Sequence, residues 1–424
     1  MSCLRPFLCF VVCGITLLTA TSHAAVTAEF VPASTRRIVQ LTGDYDPERI
    51  ETVNRTTEWG VDGVDLGANA ELDGKLFFFF GDVPLTQHPR LELSNYPPHD
   101  ADLVAYTQDA CPSPNGIRLT PVLRRDGVFD PFQIRFHAQD TPIPLLTHQT
   151  PTGAFGYDGR AYVFVVRKLP EDVWVSYLTS SSDPARSAVF DVQFELSRGE
   201  SAKFLQVAPC VVQNAEIPGL PSREGSGLVM IGHAGQGVHL AWLPLQPGRR
   251  PDRAQIRYWT GDPHPSRRWS PPGREDQAAR LFSTKHTWTS LSVGRIKETG
   301  NWLLLYQKAF RPNEDQDPEG PIVARVAAAP WELSQANEVV IFDPIRERAL
   351  GRYMHSPGKD DPSRWPPVFP GQPKGFAYGA FLLNRYTAWN AREQIVTIWY
   401  LMSTFSPYQV QLMRSQIRIT PSSH

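Results

Sequence analysis

The chain has 424 residues, and its 42 basic and 43 acidic side chains nearly cancel. A charge this balanced provides no global field for nucleic acid or an anionic lipid surface, so partners are expected to be neutral or recognised locally. Proline is the compositional outlier at 39 residues, scattered rather than gathered into one tract, and that spacing interrupts helices everywhere while leaving short strands joined by turns.

At the N-terminal end, Arg5 precedes an apolar run over residues 7–18, and Ser22-His23-Ala24 is a small-x-small pattern. Residues 1–24 therefore read as a secretory signal peptide, with a secreted or periplasmic mature chain over 25–424. Val12 before Cys13 argues against a lipid-attachment site. No later run approaches the roughly 20 apolar residues of a membrane span. Cys111 and Cys210 remain after the signal is removed; in an oxidising compartment they could form one disulfide, with Cα atoms within about 7 Å, or stay as two buried thiols. Asn54-Arg55-Thr56 fits a glycosylation sequon.

Along the mature chain one pattern recurs: a strand of small residues and glycine, a turn, then a strongly apolar or aromatic strand. The first copy spans 59–82 and turns at Asp73-Gly74; the second begins at Thr150 and turns at Asp158-Gly159. Further copies begin at Ser226, Thr289 and Phe376. Five such units predict an all-β, five-bladed β-propeller in a single domain, with inner strands starting near Val64, Gly153, Gly227, Leu291 and Ala377. Two stacked sheets are the alternative. Helix is expected only in short pieces such as 274–282. The long connection over 85–142 is expected to roof one face as an insertion.

In a propeller the ends of the inner strands converge on a funnel. Here they bring Asp62, Asp65, Thr152, Arg223, Glu224, Trp288 and Tyr378, with Trp59 and Arg385 nearby. Acids, hydroxyls and aromatic faces suit a polysaccharide or oligosaccharide substrate, although each aromatic could equally pack between blades. Asp65 and Asp82 fall on neighbouring antiparallel strands, and a carboxylate pair is what glycoside hydrolysis requires; in the plainer reading both are turn and capping residues beside glycine. Asp82, ending a four-phenylalanine strand, suits the general acid. Asp65, beside Gly63 and Gly67, suits the ionised nucleophile or base, although the roles could be reversed. Asp62 and Glu224 are reserve carboxylates.

No cofactor or metal is expected. Asn313-x-Asp315-x-Asp317-x-Glu319 alternates like a calcium loop but carries Pro318 where glycine is needed, and the histidines form no HExxH. Residues 232–237 lack the Lys-Ser/Thr and following helix of a phosphate loop.

Several stretches together resemble a known family: Asp65-Leu-Gly with Gly81-Asp82, residues 325–331 with Pro330-Trp331, Tyr353-Met-His355, Tyr378-Gly, and Pro407-Tyr408-Gln-Val-Gln-Leu-Met-Arg. This is the bacterial family first catalogued as domain of unknown function 4185, now grouped with the endo-D-arabinanases of glycoside hydrolase family 183. The resemblance covers roughly residues 40–418. It implies a five-bladed propeller that hydrolyses internal D-arabinofuranosyl linkages, with Asp65 and Asp82 doing the chemistry and His355 near the funnel. A non-catalytic carbohydrate-binding propeller, monomeric like the enzyme reading, is the alternative function.

Overall fold

At Asp73-Gly74 and Asp158-Gly159 both turn residues take positive φ, 49° and 75° in the first and 49° and 69° in the second. A two-residue hairpin needs this conformation, and Asp-Gly tolerates it. These turns join Asp65–Leu72 to Lys75–Val83 and Pro151–Tyr157 to Arg160–Lys168, as the sequence pattern predicts. The computed structural model describes residues 26–48, 52–84, 101–145, 149–235, 237–283, 291–308, 320–356, 360 and 374–421. The export segment, Trp288 and the acidic stretch 313–319 lie outside the described residues.

Five sheets are built outward from five inner strands. Blade one runs Asp65–Leu72, Lys75–Val83, Ala101–Thr107, Thr120–Pro121. Blade two runs Pro151–Tyr157, Arg160–Lys168, Trp174–Ser181, Val189–Arg198, and is extended by Gln133–Arg135 and Ile143–Pro144. Blade three starts at Gln206–Gln213 and continues through Ser226–Ala234 and Gly237–Leu245; blade four runs Ser292–Arg295, Trp302–Gln307, Ile322–Ala327, Val339–Phe342. Blade five runs Ala377–Leu382, Ile395–Thr404, Gln409–Pro421, and its outer edge is supplied by Val26–Phe30 and Arg36–Gln40 from the other end of the chain. The inner strands touch in ring order, one to two and onward until five meets one. The fold is a five-bladed β-propeller, not two stacked sheets.

Crowding at the axis explains the glycines. A Cβ on Gly153 would overlap the Val207 carbonyl oxygen, and one on Gly156 would overlap that of Glu71; both obstacles are backbone of the next inner strand. Large side chains are displaced outward and fill the spaces between blades. The Phe79 ring meets Phe190 of blade two edge-on at 5.5 Å, and Phe132 stacks on Phe190 at 4.9 Å. Each buried ring contributes about 1.5–3 kcal/mol. The buried apolar side chains accordingly form clusters that bridge neighbouring blades.

Five expectations change. The inner strand of blade three is Gln206–Gln213, and the strand near Gly227 is second. The stretch 85–142 is not simply a roof, because Ala101–Thr107 is the third strand of blade one and Gln133–Arg135 edges blade two. Residues 274–282 form a single turn, Glu275–Gln277, followed by the strand Arg280–Ser283. Cys111 and Cys210 are both free thiols, the first exposed in a loop of blade one and the second buried on the inner strand of blade three. Asn54 does not suit glycosylation: it is buried, donates to the Leu41 and Ile117 carbonyls, and accepts from the Leu119 amide. Among the described residues no helix is long and apolar enough to cross a membrane.

Candidate active site

In an antiparallel sheet, the start of one strand, the end of the next and the start of the third lie along one edge. Blade one places an aspartate at each of these points: Asp65 opens the inner strand, Asp82 closes the second, and Asp102 opens the third. Asp65 lies opposite Gly81 in the ladder. Both flanking ladders are irregular there, with register shifts between Leu66 and Ala68 and between Phe80 and Val83. Leu66 and Asp82 take left-handed φ of 59° and 47°, a cost of order 1–3 kcal/mol each that surrounding contacts must offset. For Leu66 one such contact is its amide, which donates to Ser403 Oγ of blade five at 2.7 Å. For Asp82 it is its amide, which donates a hydrogen bond to Asp102 Oδ1 at 3.2 Å.

The edge is finished by neighbouring blades. Thr150, just before the inner strand of blade two, donates from Oγ1 to Asp102 Oδ1 at 3.3 Å. Tyr378, on the inner strand of blade five, donates its phenol proton to Asp65 Oδ2 at 2.8 Å. The Tyr408 phenol hydrogen-bonds both Asp65 and Tyr378. Gly81 keeps the space between these groups open, since a Cβ there would overlap Thr150 Oγ1 and stand 3.0 Å from Asp65 Oδ1.

The electrostatics follow from burial. Asp65 and Asp102 are only 5% and 2% exposed, whereas Asp82 is half-buried. Burial, followed by the charges of Asp82 and Asp65, raises the Asp102 carboxyl well above its usual value, against hydrogen bonds that act the other way. Burial and the Asp65 charge likewise raise both tyrosines far above the normal phenol range, so they remain donors. One edge thus holds a carboxyl group favoured in its protonated form and a second carboxylate receiving phenolic hydrogen bonds.

The other sequence-predicted residues divide between the two mouths of the propeller. His355 adjoins the acids' mouth: its amide donates to Ser406 and its carbonyl accepts from Gly375, two segments that lead to Tyr408 and Tyr378. Its ring is buried against Asp360, Nδ1 to Oδ1 at 2.9 Å. Asp62 lies three residues before Asp65, half-buried, with its carbonyl bonded to Gln409 Nε2. Trp59 packs against the cluster shared by blades one, two and five. Thr152 is buried, donating to the Phe164 carbonyl and accepting from the Val207 amide, so it joins blades and does not face a ligand.

Glu224, with Arg223 beside it, is exposed in the loop after the inner strand of blade three, at the opposite mouth from Asp65. Arg385 follows the inner strand of blade five, bonds the Gly74 carbonyl, and lines a channel cavity of about 200 Å³ with Asn69, Glu71 and Asn384. Neither can join the acids. Tyr378 is at the acids, but buried, and it bonds Asp65 instead of presenting a face to a sugar.

Asp102, Thr150 and Tyr408 were missed as site residues by sequence reasoning. The apolar run after Asp102, residues 103–106, was the available sign of a strand. Among the described residues, no three His, Cys, Asp or Glu side chains are grouped as metal ligands.

Among solved structures, the chain is similar to a GH43 β-xylosidase/α-arabinofuranosidase from a compost microbial metagenome: 12% identity, 85% of this chain and 92% of that one, TM-score 0.37. It is similar also to a GH43 enzyme from Xanthomonas citri (13%, 85% and 88%, TM-score 0.38) and to the GH93 α-L-arabinofuranosidase of Fusarium graminearum (11%, 91% and 97%, TM-score 0.37). No curated protein matches the chain. Residues 51–414 match the family described as Domain of unknown function (DUF4185), and the chain belongs to that family.

Proposed function

We propose that the protein is a glycoside hydrolase that cleaves furanosidic linkages, with internal D-arabinofuranosyl bonds of cell-wall arabinan as the favoured substrate. The observation that carries this reading is the convergence of Asp65, Asp82 and Asp102 on one edge, with Asp65 accepting a phenolic hydrogen bond and the half-buried Asp82 held beside it through its amide. Glycoside hydrolysis needs a proton delivered to the leaving oxygen and an ionised carboxylate across the sugar ring. Asp82, the most exposed of the three, is the acid: its proton passes to the leaving oxygen as the glycosidic C–O bond breaks. Asp65 is the carboxylate that faces the anomeric centre, and water supplies the hydroxyl that completes hydrolysis. Asp102 is engaged by the Asp82 amide and the Thr150 hydroxyl and acts by holding the Asp82 backbone.

The family resemblance supports D-arabinan over other furanose polymers. Residues 1–24 support export, with a mature chain beginning near Ala25. The test is a reducing-sugar screen of the purified protein on D-arabinan, L-arabinan, fructan and galactofuran polymers, repeated with Asp65→Asn. Wild type should release reducing ends from D-arabinan, and the variant should lose at least about 100-fold of that activity while still binding the polymer. Wild-type protein that binds arabinan but cleaves none of the four would establish a non-catalytic carbohydrate-binding propeller.

A further inference from the structure

We propose that Tyr378 and Tyr408 are positioning residues that together orient the Asp65 carboxylate and hold it ionised, a role that rests on the hydrolase reading above. Both rings are buried, 7% and 3% exposed, so neither offers a face to a sugar. What they offer is hydroxyl groups: Tyr378 donates to Asp65 Oδ2 at 2.8 Å, and Tyr408 bonds both Asp65 and Tyr378. Phenolic donors on a carboxylate in a dry site favour its ionised form, because hydrogen bonds to an ionised group stabilise it most where water is absent.

That support offsets a specific difficulty. The titratable groups facing this cluster are Asp82 and Asp102 from blade one and the two phenols from blade five. Any charge on those carboxyl groups opposes ionisation of Asp65, while the phenols favour it. With Oδ2 held on the blade five side, Oδ1 is turned toward Gly81, where the absent side chain leaves room.

The clamp is itself held rigidly. Phe376 packs on Tyr378 with ring centroids 5.5 Å apart, Phe405 meets Tyr408 edge-on at 6.1 Å, and those two phenylalanines stack at 4.8 Å. The Tyr408 carbonyl accepts from the Val64 amide at 3.1 Å, which ties the clamp to the residue before Asp65.

Tyr378→Phe and Tyr408→Phe keep the rings and remove one hydroxyl each. Two measurements are made on folded protein: the pH profile of kcat/KM on the polymer that wild type cleaves, and a 13C NMR titration of the aspartate carboxyl carbons. In Tyr378→Phe the acid limb and the Asp65 titration should both move up by about one pH unit. Over the same change, kcat should fall about 10-fold or more while KM moves less than about twofold. Tyr408→Phe should shift both in the same direction and carries the test alone if Tyr378→Phe does not fold. An Asp65 titration unchanged in the folded variants overturns the proposal. If wild type cleaves no polymer, the hydrolase reading fails separately, and the carboxyl titration still decides whether the phenols hold Asp65 ionised.

Discussion

Asp102→Asn should make the protein more stable, with the gain in stability growing as pH rises. Asp102 is buried, and its Oδ1 accepts from the Asp82 amide at 3.2 Å and from Thr150 Oγ1 at 3.3 Å. Burial and the charges of Asp82 and Asp65 raise its folded-state pKa well above the ordinary value of 3.8. The native protein therefore binds a proton that the unfolded chain has released. Below the unfolded pKa both states carry that proton and nothing is lost. Between the unfolded and folded pKa values, each unit of rising pH costs the native state about 1.4 kcal/mol.

Asparagine copies the protonated acid, retains an acceptor for both hydrogen bonds, and does not titrate. Urea unfolding at pH 4, 5, 6 and 7 should thus show near-equal stabilities at pH 4. The variant should then gain about 1.4 kcal/mol per unit for as long as pH stays below the folded pKa. Hydrolysis by the variant should stay within a few-fold of wild type, because asparagine still accepts from the Asp82 amide and holds that backbone in place. A stability gap that stays flat across this range, or a variant less stable than wild type at pH 7, would refute the account of Asp102.

Gly156→Ala places a methyl group against the Glu71 carbonyl of the neighbouring blade, an obstacle that cannot rotate away; a loss of about 1–3 kcal/mol in urea unfolding is expected. A thiol reagent at pH 8 should modify Cys111 in the native protein and Cys210 only after denaturation, because Cys210 is enclosed and burial raises its thiol to about 12. Labelling of both thiols at equal rates in native protein would contradict the inner-strand placement of Cys210.

Hairpins were the legible part of the fold, because Asp-Gly turns and aromatic strands are governed by local chemistry. Blade three was misread for an instructive reason. Gly227 and Gly232 imitate inner-strand glycines, yet a Cβ on the first would strike Trp242 and Asn214 and on the second Phe204. They make room for neighbouring side chains, not for crowding at the axis. The true inner strand meets that crowding with Ala208, Pro209 and Cys210, which carry no glycine signal. At the site, Asp65 and Asp82 were legible because one hairpin joins them. Asp102, Thr150 and Tyr408 arrive through pairing and ring closure over long separations, which no local pattern records. Glu224 and Arg385 were misplaced because proximity in sequence to an inner strand does not say which of its ends a side chain occupies.

Blade five borrows its outer edge from the far end of the chain, with Val26 opposite Pro421 and Phe30 opposite Ile417. During synthesis these are the earliest and the latest of the described strands to emerge. A nascent chain can finish blades two to four while the ribosome is still working, but the seam between blades five and one must wait. Tyr378, Tyr408 and Ser403 reach Asp65 and Leu66 across that seam, so a translation product that stops before Tyr408 lacks part of the constellation of acids and phenols. Pairings of such wide separation are also the slowest to form. The edge that carries the three aspartates is thus the last part of the molecule to mature, and its assembly reports that the ring has closed.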